Sequence, residues 1–139
     1  MGFWSKVFSQ KGTANPKDAK SANKQAIKLL NKGKFDDAIT ACTQAIELDS
    51  TYTDAYNNRG LAYAQKREFD RAIADFDKAL EINPRLGETY FNKALTCEKA
   101  GRIPEAIDGY KKAIEFGGKQ NPFILDRAKK HIADLQKDH

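Results

Sequence analysis

The chain has 139 residues, of which 40% are hydrophobic and 31% charged, and its net charge is +5. This length is ample for one domain with a continuous core. No apolar run approaches the roughly 18 residues that a membrane-spanning helix needs. Beyond residue 20 the positive and negative charges nearly balance, which argues against a nucleic-acid-binding domain because such domains gather Lys and Arg on one face.

The first predicted element is an N-terminal amphipathic arm over residues 1–14. Phe3 and Val7 are four residues apart, as are Trp4 and Phe8, which is the spacing of neighbours on a helix face. The arm lacks the continuous apolar stretch of a secretory signal, so we expect a cytoplasmic protein. Asn15-Pro16 then predicts a helix start, because Asn caps helices and Pro suits their first turn.

From residue 19 onward the sequence repeats with a constant period, over about 19–52, 53–86 and 87–120. A period of roughly 34 residues predicts a pair of antiparallel helices in each repeat. One pair cannot bury its own apolar face, so the repeats must stack. The recurring small or aliphatic positions are Ala26, Gly60 and Ala94; Ala38, Ala72 and Ala106; Ile39, Ile73 and Ile107; and Ala45, Ala79 and Ala113.

Turn-forming residues mark the predicted helix ends. Gly33 and Gly101 fall where the first helix of repeats one and three should end. Pro104 falls in the first turn of the second helix of repeat three, and Asn83-Pro84 should stop the second helix of repeat two. Each repeat is therefore expected to be helix, turn, helix, turn.

A last helix is predicted over about residues 122–137, after Asn121-Pro122. Its apolar residues form one stripe, and charged residues fill the other face. This is the pattern of a helix that closes the end of a stack. The stripe consists of Ile124, Leu125, Ala128, Ile132 and Leu135.

The repeat resembles that of the tetratricopeptide repeat family. The signature is most complete in the second repeat, with Tyr56, Gly60, Tyr63, Ala72, Phe76, Ala79 and Pro84. The resemblance implies an all-α fold over residues 15–138: a right-handed α-solenoid of three helix-turn-helix repeats plus a C-terminal capping helix. It also implies a protein-protein interaction module, an adaptor or scaffold, that holds a peptide segment of a partner in its concave groove.

In this family the first helix of each repeat lines the concave groove. Asn amides both donate and accept hydrogen bonds and could hold a peptide backbone, while an aliphatic row would supply apolar contact. Two structural interpretations stay open: the aliphatic row could be partly buried between helices, and Asn58 could only brace the backbone. The expected groove residues are Asn23, Ile27, Asn57, Asn58, Leu61, Phe91, Asn92 and Leu95.

One client class of the family is expected to be excluded. Co-chaperone members hold the acidic tails of heat-shock chaperones with Lys, Arg and Asn side chains at five positions of the groove. Here only one of the five matches, and one reverses the charge, so a carboxylate would find few partners. These positions hold Asn23, Ile27, Asn58, Glu88 and Asn92.

No catalytic set is recognisable, so we expect no enzyme, no cofactor and no metal. The two histidines, His131 and His139, have no partner at a catalytic spacing, and His131 is expected at the surface. Cys42 and Cys97 lie in different repeats, without metal-ligand spacing around them. Both are expected to be reduced and buried in the core.

The arm leaves four interpretations open. It could contact the protein's own groove, or the groove of a second copy and so form a homo-oligomer. It could lie on a membrane surface, or stay disordered until a partner folds it. The alternative to a peptide-binding adaptor is therefore a membrane-surface tether or a self-assembling scaffold driven by the arm. A secretion-type chaperone, with three such repeats and an N-terminal segment, is the nearest variant of the adaptor.

Overall fold

A computed structural model of the chain describes residues 18–138, and this part contains seven α-helices and no strand. The three repeats comprise α1 and α2, α3 and α4, and α5 and α6, and α7 follows them. The helices are α1 (Ala19–Asn31), α2 (Phe35–Leu48), α3 (Thr53–Gln65), α4 (Phe69–Ile82), α5 (Gly87–Lys99), α6 (Ile103–Gly117) and α7 (Pro122–Asp138).

The helices pack in the order of the chain, each against the next one. The first helices α1, α3 and α5 also lie beside one another, and α7 touches α5 in the same way that α5 touches α3. The architecture is the all-α helical repeat solenoid that the sequence period predicts, and α7 takes the place that the first helix of a fourth repeat would take. None of these helices combines the length and apolar character needed to cross a membrane.

Turn-forming residues lie at several helix ends within residues 18–138, where the sequence places them. Gly33 and Gly101 follow α1 and α5 with φ values of 74° and 80°, the left-handed conformation that Gly adopts without strain. Asn83 is the C-cap of α4, and Pro104 lies in the first turn of α6. Before α7, the Asn121 side-chain oxygen accepts hydrogen bonds from the backbone of Phe123 and Ile124, which satisfies two otherwise unpaired donors.

The second repeat has Arg67 where the others have glycine, and Arg67 also adopts a left-handed φ of 62°. This conformation is costly for a residue with a Cβ atom. The Arg67 guanidinium lies over the Phe69 ring, with 5.1 Å between Cζ and the ring centroid, an arrangement that offsets part of the cost.

Small residues let the two helices of each repeat approach closely. The alanines at the recurring small positions are fully buried. Gly60 lies directly under the ring of Phe76, since a Cβ atom on Gly60 would be 2.6 Å from Phe76 Cε1. The backbones also approach closely where the start of α5 meets the end of α6, since a Cβ atom on Gly87 would be 2.5 Å from the Cα atom of Gly117.

Both cysteines lie in the core, as predicted, and neither forms a disulfide. Burial raises the pKa of the Cys42 thiol from 9.0 to about 12, and burial also raises the pKa of Cys97. A thiol reacts as the thiolate. Neither side chain is therefore a candidate nucleophile.

We expect a thiol reagent at mildly alkaline pH to label the native chain slowly and the urea-unfolded chain rapidly. The folded state also keeps the Cys42 proton to higher pH than the unfolded chain does. The free energy of unfolding should therefore fall as pH rises from about 9 to about 12. Mass spectrometry of the labelled chain and urea titrations at two pH values measure both effects. Rapid labelling of Cys42 in the native chain would contradict the burial.

The arm residues Phe3, Trp4, Val7 and Phe8 lie outside the described residues, as do Asn15, Pro16 and His139. The first described helix, α1, begins at Ala19. Its N-cap is Asp18, whose carboxylate accepts a hydrogen bond of 2.8 Å from the Ser21 backbone. The chain therefore enters the solenoid at the start of α1, beside the end of α2.

Candidate functional site

The expected groove residues lie on the first helices α1, α3 and α5, and four of them are asparagines joined in two pairs. Asn58 donates a hydrogen bond of 2.8 Å from Nδ2 to Asn23 Oδ1, and Asn92 donates one of 3.2 Å to Asn57 Oδ1. Each bond joins neighbouring repeats. Asn58 therefore has a structural role, as the alternative interpretation suggested, but its partner is a side chain rather than the backbone.

These bonds leave part of the amides' hydrogen-bonding capacity unused. Asn57 Oδ1 also accepts a hydrogen bond of 3.1 Å from the Thr89 hydroxyl, so this oxygen is saturated. Within the described part of the chain, the Asn57 NH2 group and the Asn92 side-chain oxygen bind no other group. Both residues are half-buried, whereas Asn23 is buried. Asn57 and Asn92 therefore present a donor beside an acceptor at the groove surface.

The aliphatic row is exposed at one end and half-buried along the rest. Ile27 is 41% exposed, one of the most exposed large hydrophobic side chains of the described chain. Leu61 and Leu95 are half-buried, and Leu95 packs against the core cluster. The two interpretations of this row are thus compatible, because the side chains pack between helices and still offer apolar surface along the groove.

Phe91 lies beneath the surface rather than in the open groove. It is 8% exposed, and its ring contacts Tyr110 and His131 edge-on, at centroid distances of 5.6 and 6.2 Å. Because α7 covers this end of α5, Phe91 supports the groove floor and offers little surface to a ligand.

His131, expected at the surface, is half-buried, with 25% of its side chain exposed. Its ring stacks on Tyr110 with 4.9 Å between centroids, and its Nδ1 atom is 3.0 Å from Glu98 Oε1. The same Glu98 oxygen accepts a hydrogen bond of 2.8 Å from the Tyr110 hydroxyl. A signal for this was present, since His131 lies one repeat length after the buried Cys97 and so continues a core position into α7.

This polar cluster links three helices at the C-terminal end of the solenoid. Tyr110 is fully buried, and both burial and the hydrogen bond to Glu98 raise its pKa. The cluster therefore joins α5, α6 and α7 through contacts among their side chains. Among residues 18–138, no group of three or more His, Cys, Asp or Glu side chains could hold a metal ion.

The groove also carries a small acidic pocket between the starts of α3 and α5. The pocket has a volume of about 230 Å³, and the side chains of Asp54 and Glu88 at its edge are exposed. Its two carboxylates outnumber the one cation, Arg85, so the pocket has a net negative charge that favours a cationic group over an anionic one. The pocket is lined by Thr53, Asp54, Asn57, Arg85, Leu86, Gly87, Glu88 and Thr89.

A larger and more open depression of about 630 Å³ lies away from the groove, at the turns that follow α3 and α5. Two of the four cations that line it, Arg71 and Arg102, pair with lining carboxylates, whereas Arg67 and Lys99 form no ion pair among the described residues. Arg102 approaches Asp70 at 3.7 Å, and Arg71 approaches Glu68 at 3.5 Å. This depression is therefore distinct from the groove in position and in charge.

The sequence analysis did not predict an ion pair that joins the two helices of the second repeat, α3 and α4. Arg59 of α3 makes two hydrogen bonds of 2.8 Å to the Asp75 carboxylate of α4, and it donates a third of 3.2 Å to Thr43 of α2. A signal was present here too, because Asp75 occupies a position at which the other repeats have small residues, Ala41 and Gly109.

Comparison with models of known protein families shows to which family the chain belongs. Three profiles match: two described as "Tetratricopeptide repeat", over residues 53–86 and 76–108, and one described as "TPR repeat", over residues 28–67. Together they span residues 28–108. The chain belongs to the tetratricopeptide repeat family. No curated protein sequence matches this tetratricopeptide repeat chain.

Solved tetratricopeptide structures have the same fold. The first such domain of Spaghetti (RPAP3), bound to the HSP90 peptide SRMEEVD, is 21% identical, with 88% of this chain and 94% of that chain covered and a TM-score of 0.79. The TPR2B domain of yeast Sti1, in a complex with pHsp70, is 22% identical, with coverages of 87% and 98% and a TM-score of 0.81.

A bacterial structure is also similar. The Yersinia enterocolitica type III secretion chaperone SycD, in complex with a peptide of the translocator YopD, is 17% identical. The alignment covers 86% of this chain and 92% of that chain, with a TM-score of 0.80. At these identities the three structures establish the fold alone.

Proposed function

We propose that this tetratricopeptide repeat protein is an adaptor that binds an extended peptide segment of a partner protein in the groove of α1, α3 and α5. The main support is one juxtaposition: the apolar row of Ile27, Leu61 and Leu95 runs beside the unused amide groups of Asn57 and Asn92. A row of this kind buries apolar side chains of a peptide, and the amides bind its backbone. Binding of this kind needs no catalytic group, cofactor or metal.

The charges of the groove indicate which peptides it binds. Asp54 and Glu88 outnumber Arg85 at the acidic pocket, which favours a segment with an Arg or Lys side chain next to an apolar residue. The acidic tail of a heat-shock chaperone is a poor fit, since Glu88 repels a carboxylate and Asn58 is already bonded to Asn23. The Spaghetti domain bound to the SRMEEVD peptide thus shares this fold, but the ligand class proposed here differs.

The double substitution Leu61→Glu with Leu95→Glu should abolish peptide binding, because two carboxylates would replace the apolar row. The probe is a displayed library of random peptides, from which binders to the native chain are selected and sequenced. We expect the selected peptides to combine apolar and basic residues. Their affinity for the double variant, measured by fluorescence anisotropy, should fall at least about a hundredfold if two leucine contacts are lost.

A matched control adds the same two charges elsewhere. Thr40→Glu with Ala74→Glu places them at exposed positions of α2 and α4, on the second helices. Circular dichroism should show that both double variants stay helical, and the control should bind the selected peptides like the native chain. Equal binding by the Leu61 and Leu95 double variant would refute the groove assignment.

The alternative, a tether or self-assembling scaffold driven by residues 1–14, rests on residues outside the described part of the chain. Phe3, Trp4, Val7 and Phe8 remain its proposed contacts. A cytoplasmic location also remains a prediction.

A further inference from the structure

The turn inside the second repeat carries an arginine where the other two repeats carry glycine. Arg67 follows α3 with a left-handed φ of 62°, and the equivalent Gly33 and Gly101 have φ values of 74° and 80°. A Cβ atom on either glycine would meet no atom within 4 Å, so only the backbone conformation disfavours a side chain in these turns. The second repeat therefore keeps a side chain at a conformational cost that glycine would avoid.

The Arg67 side chain is held in place, but its hydrogen-bond donors are unused. Its guanidinium lies over the Phe69 ring, with 5.1 Å between Cζ and the ring centroid. Contact with a ring face leaves the N–H groups at the guanidinium edge able to bind an acceptor. Among the described residues, this side chain forms no ion pair and donates no hydrogen bond. A left-handed residue with an unused cationic group is grounds for a functional hypothesis.

Arg67 lines the depression of about 630 Å³ at the turns that follow α3 and α5, which we call the turn depression. Lys99, the last residue of α5, lines the same depression and is exposed. Its ammonium group also has no ion-pair partner among residues 18–138. The turn depression thus offers two cations, one from each repeat, to a ligand.

The remaining charges of the turn depression balance one another. Arg71 lies 3.5 Å from Glu68, and Arg102 lies 3.7 Å from Asp70. Glu68 is also 3.2 Å from Lys66. The lining therefore has an excess of two positive charges, those of the two unpaired cations.

This charge is opposite to that of the acidic pocket, which lies at the other end of the same two helices. The acidic pocket lies between the starts of α3 and α5, and the turn depression lies at their ends. Each helix has 13 residues and is therefore about 20 Å long. The two places are thus separate, and they attract groups of opposite charge.

We propose that the turn depression binds an acidic segment of a partner protein, with carboxylates of two Asp or Glu side chains at Arg67 and Lys99. A guanidinium binds a carboxylate through two parallel hydrogen bonds, and an ammonium group binds it as a point charge. Two carboxylates match the excess of two positive charges. Glu68 and Asp70 also line the depression and repel the denser charge of phosphate groups. This interaction goes beyond the groove function and does not depend on it.

The probe is a fluorescent hexaglutamate peptide, with hexaglutamine as the neutral control, measured by fluorescence anisotropy on the full chain at low salt. We expect saturable binding of hexaglutamate only. Arg67→Gly with Lys99→Gln should lower the affinity about tenfold, since two exposed charge pairs are lost.

A matched control removes the same two charges elsewhere. Lys111→Gln with Lys130→Gln changes exposed residues of α6 and α7 and should bind hexaglutamate like the native chain. Asp70→Asn tests the charge balance in the opposite direction. The Asp70 side chain is 96% exposed at the turn depression, and removal of its charge should raise the affinity about twofold.

Arg67→Gly alone separates this role from a structural one. Glycine adopts the left-handed φ without strain, so the urea midpoint should stay the same or rise while the affinity for hexaglutamate falls. A lower midpoint with unchanged affinity would show that Arg67 serves only to pack on Phe69, and would overturn the proposal.

Four further outcomes would also overturn it. The first is equal binding of hexaglutamate by the native chain and the Arg67 and Lys99 double variant. The second is a set of amide chemical-shift changes confined to residues 1–17, whose Lys6, Lys11 and Lys17 would then be the binding groups. Displacement of hexaglutamate by inorganic phosphate at constant ionic strength would assign the turn depression to a small anion. Tighter binding of a single-stranded oligonucleotide of equal charge would assign it to nucleic acid.

Discussion

Gly87→Ala is expected to destabilise the chain by about 3 kcal/mol, the upper range for overpacking a tight interface. The added Cβ atom would lie 2.5 Å from the Cα atom and 2.6 Å from the backbone nitrogen of Gly117. Both neighbours are backbone atoms, which cannot rotate away as a side chain can. The helices α5 and α6 would have to separate, which would also disturb the stacking of Tyr90 on Phe116. The midpoint of urea unfolding measures the loss.

Gly101→Ala is the matched control, since the same methyl group meets no atom within 4 Å there. Its cost comes only from the left-handed φ of 80° and should be about 1 kcal/mol. Equal losses for the two variants would show that the approach of Gly87 to Gly117 does not limit the packing of α5 on α6.

The second large effect is expected for Asp75→Ala, which should cost about 2–4 kcal/mol, because the charge of Arg59 would remain without its partner. The exposed fractions of the two side chains are only 20% for Arg59 and 9% for Asp75, so water screens the lost attraction incompletely. The guanidinium would keep its single bond to Thr43. Thermal and urea unfolding of the variant measure the change in the free energy of unfolding.

Asp77→Ala is the matched control for this pair. Asp77 lies 2.6 Å from Lys93, but 52% of its side chain is exposed, and exposed ion pairs contribute only about 0–1 kcal/mol. Replacement of both Arg59 and Asp75, with Leu and Ala respectively, should recover much of the loss, because it removes both charges at once. A loss for Asp75→Ala no greater than that for Asp77→Ala would contradict a stabilising role of the pair of Arg59 and Asp75.

The architecture could be predicted from the sequence because its main determinants recur. Small residues at fixed offsets specify the close approach of the two helices, and the constant period of the repeats specifies the stacking. Single residues such as Gly101, Pro104 and Asn121 specify helix ends through local backbone chemistry, which needs no knowledge of distant contacts. The predictions of helix ends and of repeat stacking were correct because they depend on local or recurring residues.

The parts that escaped prediction depend on pairs of residues from different helices. The periodic pattern gives no reason for Gly87 to meet Gly117, or for Arg59 to bind Asp75, since each pair occurs in one repeat only. His131 was expected at the surface because a histidine at the edge of an apolar stripe was judged on its own helix. Its place became clear only from α5 and α6, which supply Glu98 and Tyr110.

The residues proposed for the groove lie on the first helices, as expected, but their individual contacts were not predictable. Helical periodicity correctly assigned the asparagines to the first helices. It could not show that Asn58 and Asn92 each use a donor on the neighbouring repeat. It could not show either that Phe91 is covered by the His131 and Tyr110 rings, because that contact joins three helices.

The two asparagine pairs bear on how the chain folds. Each joins residues 35 positions apart in sequence, one pair between repeats one and two and the other between repeats two and three. Each repeat is thereby coupled to the next one. Neither asparagine bond has to close a loop of more than 35 residues. In a linear array, stability depends on such nearest-neighbour terms, and contacts between near neighbours favour rapid folding. Loss of one asparagine should therefore weaken the coupling of two repeats by about 1 kcal/mol, while the helix packing between them remains.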